Sequence, residues 1–123
     1  MSNFLSALDV VSRPRIASPR GACDCHFHVF DDVARFPLVA QRGFTPALAS
    51  LDGWKRMAQT LGLTRGVLVQ PSPYGRDNAL LMHLLDGRPE LRGVAAPPAG
   101  ATIEDLRSMH GRGVRGVRVN HLY

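Results

Sequence analysis

Lysine is nearly absent from this chain: Lys55 stands alone among 15 basic residues. Cysteine is limited to Cys23 and Cys25. Two cysteines at that spacing fit neither a zinc knuckle nor a thioredoxin-type redox pair, and they cannot staple a secreted scaffold. An i, i+2 disulfide along a strand is also disfavoured, because the Cα atoms lie about 6.5–7 Å apart, at the limit of disulfide reach. Packing inside the domain is the expected role of both thiols. No apolar run approaches the ~20 residues of a membrane-spanning helix. Residues 1–20 lack the apolar stretch and small-residue cleavage site of a secretory signal, so a cytoplasmic location is expected. There is no G-x-S-x-G elbow, which leaves a serine-nucleophile reading unsupported.

What is present suits one small globular domain. The 123 residues are 45% hydrophobic and 20% charged, with a net charge of +5. The positive charge is scattered rather than gathered in a patch, so no nucleic-acid partner is expected, and no membrane partner either. Arginine in place of lysine suits two-pronged binding of carboxylates, although a GC-rich genome would enrich arginine as well.

Residues 1–20, broken by Pro14 and Pro19, read as an irregular leader. Strand-like and helix-like segments then alternate. Gly21 to His28 reads as a first strand. Val29 to Pro46 is a long loop. Leu51, Trp54, Met57, Ala58 and Leu61 follow helical spacing up to Gly62. Gly66 to Gln70 is an apolar run typical of a strand buried on both faces. Asp77 can cap a helix through Leu85. Arg92 to Ala96 is a third strand, and Thr102 with Asp105 resembles a capping box. Val114 to Asn120 is the fourth strand. The order βαβαβαβ predicts an α/β fold with a parallel sheet, either doubly wound or the first four units of a (β/α)8 TIM barrel. Polar residues gather at the strands' C-terminal ends, which favours the barrel.

Those ends carry the candidate chemistry. Strict alternation would put Asp24, His26 and His28 on one face and the cysteines on the other. Two imidazoles so spaced can converge on a metal ion or a substrate carbonyl, or be ordinary satisfied histidines. Arg118 and Asn120 share a face of the last strand. Arg118 there needs an anion, either a substrate carboxylate or a structural partner such as Asp24. Ser72 can bond a substrate oxygen or merely local backbone. Tyr74, Asp77 and Asn78 lie on the same loop as Ser72. His83 and His110 fall on helices and are assigned no chemistry; His121 is a weak candidate. Met57, Met82 and Met109 sit at helical core positions. The glycine pattern from Gly111 to Gly116 matches G-x-G-x-x-G, but it follows a helix and opens a strand, the reverse of a dinucleotide site.

Four blocks in order carry a family resemblance: Gly21-Ala22-Cys23-Asp24-Cys25-His26-Phe27-His28-Val29-Phe30; Val69-Gln70-Pro71-Ser72 with Tyr74-Gly75 and Asp77-Asn78; Arg92-Gly93-Val94-Ala95; and Gly113-Val114-Arg115-Gly116-Val117-Arg118-Val119-Asn120. Together they resemble the amidohydrolase-2 family, in particular its 2-pyrone-4,6-dicarboxylate hydrolase and lactonase branch. The resemblance implies that residues 21–123 form the N-terminal half of a TIM barrel. It also implies a hydrolase that opens a lactone or similar carbonyl bond in a small anionic substrate. His26 and His28 match the first-strand pair. They imply either a divalent metal, zinc or manganese, or direct polarisation of the carbonyl without one. Ser72 and Arg118 fall where the branch contacts substrate carboxylates, with Asn120 and Tyr74 beside them. Phe44 stands where the branch often has tyrosine, so the particular pyrone is left open. The family's water-activating aspartate belongs to a later strand. The chain alone is therefore expected to be inactive, and to self-associate or pair with a complementary half-barrel.

Overall fold

A computed structural model describes residues 12–120. Of the expectations above, the first eleven residues of the leader and His121 lie outside that range. Four strands and three helices alternate: β1 (Cys23–Phe27), α1 (Leu51–Leu61), β2 (Arg65–Val69), α2 (Ala79–Leu85), β3 (Leu91–Ala95), α3 (Ile103–Gly111) and β4 (Val114–Val117). A short 3₁₀ turn, Ser72–Tyr74, precedes α2. The strands are parallel and pair in the order β1-β2-β3-β4. A doubly wound sheet needs a point where strand order reverses. The described strands have none.

Local chemistry accounts for the helix ends. Ser50 caps α1 by accepting the amide of Gly53 at 3.1 Å. Gly62 closes α1 with φ at 75°, a left-handed conformation that favours glycine. The hydroxyl of Ser18 donates to the Leu61 carbonyl at the same end. Thr102 and Asp105 form a complete capping box, with aspartate in the usual glutamate position. The expected cap at Asp77 is shifted: Asn78 is the boundary residue, while Asp77 Oδ1 accepts the amide of Ala79. Gly111 ends α3 and Gly113 turns into β4, so this glycine run is a helix stop and turn.

The core lies between the sheet and the first two helices. Phe27, Trp54, Leu68, Leu81, Leu85 and Leu91 are among its buried members. Gly66 makes room for its aromatic centre. A Cβ there would lie 2.6 Å from Trp54 Cζ2 and 2.7 Å from Phe27 Cε1. The third helix is different, with no buried residue. Met82 is buried, whereas Met57 and Met109 are only partly so.

One departure from simple alternation shapes the site. In the β1–β2 register, Asp24 pairs with Gly66 and Phe27 pairs with Leu68. Three steps along β1 thus match two along β2, which is a β-bulge at Cys25 and His26. The extra residue lets Asp24 and Phe27 both meet Trp54. Phe27 stacks on the indole at 4.2 Å, and Asp24 Oδ2 accepts its Nε1–H at 2.9 Å. The expectation that Asp24 shares a face with the histidines is therefore corrected. The packing expected for the cysteines is corrected too: Cys23 is half-buried, Cys25 is exposed, and both are free thiols. Burial and the neighbouring Cys25 push the Cys23 thiol up, so it stays protonated at neutral pH.

Candidate active site at the strand ends

Three groups from β1 and β4 meet at the end of β2. His28 follows β1 directly. Its Nδ1 lies 2.8 Å from the Val69 carbonyl. A carbonyl only accepts, so Nδ1 carries the proton and Nε2 is left with its lone pair. Arg118 follows β4, and its backbone amide extends the ladder to the Ala95 carbonyl at 2.7 Å. Its Nη1 donates to the Gln70 carbonyl at 3.0 Å. Consecutive carbonyls of one strand end therefore orient an imidazole and a guanidinium. His26 meets His28 edge to face, with ring centroids 5.0 Å apart.

Electrostatics follow from this crowding. Partial burial lowers the His28 pKa from its ordinary value, and the neighbouring His26 and Arg118 lower it further. The bond to Val69 acts the other way without reversing the balance. His28 is thus neutral at neutral pH. The expected alternative of an Arg118–Asp24 ion pair is not formed, because Asp24 is committed to Trp54 on the helix side. Asp24 instead supports the histidines from behind. Its Oδ1 accepts the amide of His26 at 3.1 Å, pinning the bulge that presents this histidine.

At Arg118 lies a small cleft of about 40 Å³ walled by Gln70, Ser72, Arg76, Arg118, Asn120 and the adjoining Pro71, Gly75 and Ala96; neither His26 nor His28 is in its wall. Ser72, Arg118 and Asn120 are thus brought together as the sequence suggests. Ser72 is half-buried, and among the described residues its hydroxyl is not tied to local backbone.

Two other expected contact residues are placed elsewhere. Tyr74 is 2% exposed; its hydroxyl lies 3.3 Å from both the amide and the carbonyl of Asp31, and its ring stacks on Phe30. It anchors the long loop after β1 and does not wall the cleft. Phe44 is 53% exposed and is also outside the wall. Gln70 is buried, and its amide donates to the carbonyls of Gly75 and Asp77, so it shapes the loop. Asn78 bonds both the amide and the carbonyl of Ala96, tying the loop after β2 to the end of β3. His83 packs on Phe36, and His110 lies beside Arg115, as their helical positions suggest.

The histidine pair is an incomplete donor set for a metal. A protonated Nδ1 on a carbonyl with Nε2 free is the usual posture of a ligating histidine. However, no group of three or more His, Cys, Asp or Glu that could hold an ion occurs among the described residues. Two imidazoles do not make a metal site by themselves. No described helix is long and apolar enough to cross a membrane.

Comparison with known proteins identifies relatives of the chain. The Amidohydrolase family model matches residues 23–123. The chain is 38% identical over 103 residues to a 4-sulfomuconolactone hydrolase of Rhizobium radiobacter, covering 83% of this chain and 34% of that protein. It is 36% identical over 110 residues to a 2-pyrone-4,6-dicarboxylate hydrolase of Comamonas testosteroni, covering 89% and 36%. Among solved structures, one from Acinetobacter baumannii, described as a "probable 2-pyrone-4,6-dicarboxylic acid hydrolase" with citric acid bound, superposes with a TM-score of 0.74 at 27% identity. That match covers 80% of this chain and 37% of the other. An apo structure from Agrobacterium tumefaciens gives 0.75 at 25% identity, covering 85% and 38%. The chain spans about a third of the length of the curated relatives it matches.

Proposed function

This chain belongs to the amidohydrolase family, and from that premise we propose that it supplies the first four βα units of a (β/α)8 barrel hydrolase that opens the lactone ring of a small carboxylate-bearing molecule. The observation that carries the reading is the shared anchoring of His28 and Arg118 on adjacent carbonyls, Val69 and Gln70. It puts a neutral imidazole and a fixed positive fork at one mouth. The sequential strand order and the fractional cover of the relatives support the partial barrel.

The two histidines then have unlike duties. Polarising a carbonyl requires an N–H donor. The Nδ1–H of His28 is spent on Val69, and its lowered pKa keeps Nε2 bare. Nε2 can only accept a proton or ligate a cation. Donation to the scissile carbonyl therefore falls to His26, which is exposed at the bulge. Arg118, assisted by Ser72 and Asn120, holds the substrate's carboxylate so that the carbonyl lies over the imidazoles. Water attacks with help from a base on a later strand of the barrel. Apart from that base, this division of labour uses the chain's own groups, and a metal would be additional to it.

The test supplies the C-terminal portion of the Comamonas relative in trans and follows 2-pyrone-4,6-dicarboxylate and 4-sulfomuconolactone by ultraviolet absorbance. The 123-residue chain alone is expected to show little or no turnover, and the complemented pair to open one of the lactones. His26→Ala should cost on the order of 10²-fold in kcat, while Arg118→Gln should act mainly on KM. Full activity of His26→Ala, or no hydrolysis of either lactone by the pair, refutes the reading.

A second reading is favoured by one specific surface. Val117 and Val119 are exposed at the end of β4, Ile103 is exposed on α3, and β1 and β4 are the outer strands of the described sheet. Unpaired edges invite association. The chain would then act as a half-barrel that self-associates or pairs with a complementary half, without catalysis of its own. Size-exclusion chromatography decides: a well-folded monomer that ignores the added half contradicts it.

A further inference from the structure

The other end of the sheet, where the strands begin, holds an open cavity of about 470 Å³. Its wall comes from the segment that joins α2 to β3 and the segment that joins α3 to β4. The fold gathers Arg88, Arg92, Arg112 and Arg115 there, and Asp86 is the only acid in the wall among the described residues. Three of these arginines share one posture. Nη1 of Arg88 donates to the carbonyls of Leu84 and Asp86. Nη1 of Arg92 donates to those of Pro89 and Leu91, and Nη1 of Arg115 to those of His110 and Val114. A terminal NH₂ has two hydrogens, so each Nη1 is fully occupied. The edge formed by Nε–H and Nη2–H, two parallel donors suited to an oxyanion, meets no partner in any of the three among the described residues. Arg112 shows what that edge binds: its Nε and Nη2 take the two oxygens of Asp86, at 3.0 and 2.8 Å. Helix C-terminal carbonyls attract arginine without any ligand, which accounts for Nη1 of Arg88 and Arg115. It does not account for Arg92, whose two carbonyls lie outside the helices, nor for three forks held ready beside one another.

From this we infer that the arginine cavity at the start of the strands is a binding site for a small polyphosphate anion. The forks arrive from both segments, Arg88 and Arg92 from one and Arg115 from the other. A phosphate chain presents oxygens tetrahedrally at each phosphorus and can meet forks from several directions. A carboxylate holds its two oxygens in one plane and serves one fork, as Asp86 does for Arg112. The anchored guanidinium groups are ordered before the ligand arrives, which lowers the cost of binding. The cavity has the size of a small-molecule site rather than of a groove for a long chain. The inference is independent of the proposed hydrolase activity, since no residue of this wall belongs to the cleft around Arg118.

The experiment titrates tripolyphosphate into the 123-residue chain at fixed ionic strength, by calorimetry and amide NMR. Sulfate, citrate and a short oligothymidylate are the comparison ligands. Tripolyphosphate is expected to bind at least about ten-fold more tightly than sulfate or citrate, because it engages several forks at once. It should shift the amides of Gly87 and Gly113, which line the cavity, and leave the His28 ring unmoved. Arg115→Gln should weaken it about five- to ten-fold, the range for partly exposed charge-assisted pairs. Arg115→Lys keeps the charge without the fork and should recover only part of that loss. Asp86→Asn removes the wall's acid and releases the fork of Arg112, so it should tighten tripolyphosphate about three- to ten-fold. Arginines that only cap helices would not produce such a gain. Unchanged or weaker binding by Asp86→Asn overturns the inference, as do shifts at His28 in place of Gly87 and Gly113. Citrate or the oligonucleotide binding as tightly as tripolyphosphate overturns the choice of a small polyphosphate.

Discussion

Replacing Asp24 by asparagine changes almost no volume, yet the structure predicts a large effect. The carboxylate accepts two hydrogen bonds, one on each oxygen: Nε1–H of Trp54 at 2.9 Å and the amide of His26 at 3.1 Å. Asparagine has one acceptor oxygen and one NH₂ group. Whichever way it turns, a donor faces a donor. If its oxygen stays on His26, the indole N–H is stranded, and Trp54 is only 4% exposed. Loss of a charge-assisted bond, with a buried donor left unmet, costs about 1.5–3 kcal/mol. Asp24→Asn should therefore lower the urea midpoint with an unchanged slope. Trp54→Phe removes the competing donor. In that background the remaining amide oxygen satisfies His26, so the cost of Asp24→Asn should shrink by about 1.5 kcal/mol in a double-mutant cycle. Additive losses, or a wild-type midpoint for Asp24→Asn, would refute the claim that this carboxylate pins the bulge.

Three further outcomes follow from the same geometry. Gly66→Ala should destabilise by about 1–3 kcal/mol in thermal or urea unfolding, because its Cβ meets two rigid rings. Gly93→Ala should cost less, since its shortest contact is the flexible end of Leu85 at 2.6 Å; a reversed order would contradict the packing. His28 supplies a pH test. Its pKa is lower in the fold than in the unfolded chain, so its contribution is present above the ordinary imidazole range and lost as pH falls through the folded value. His28→Gln should flatten that part of the stability–pH curve, and an unchanged slope would count against burial as the cause. Tyr74→Phe should speed amide exchange at Asp31 and cost about 0.5–1.5 kcal/mol.

Most elements were legible because local rules and tertiary packing agree. Gly62 and the Thr102–Asp105 box end or start helices for reasons contained within a few residues. The Gly66–Gln70 run was legible as a strand because β2 lies inside the sheet and buries Gly66, Leu68 and Val69. The His26–His28–Arg118 cluster was legible because each residue stands at a strand's C-terminal end. The bulge was not. A period of two carries no trace of an extra residue, which is set by Trp54, a distant position in the chain, claiming both Asp24 and Phe27. That claim also turned Asp24 from a suspected partner of Arg118 into an anchor for His26. Tyr74, expected beside Ser72 from its loop position, has its ring in the core.

The central claim is that the imidazoles at the end of β1 and the guanidinium after β4 serve one bound molecule. Intermolecular nuclear Overhauser effects from isophthalate to the wild-type chain test this directly. The account predicts that ring protons of one ligand contact both the His28 ring and the Arg118 side chain. Contacts confined to one of the two, or to residues on the opposite end of the sheet, would contradict it.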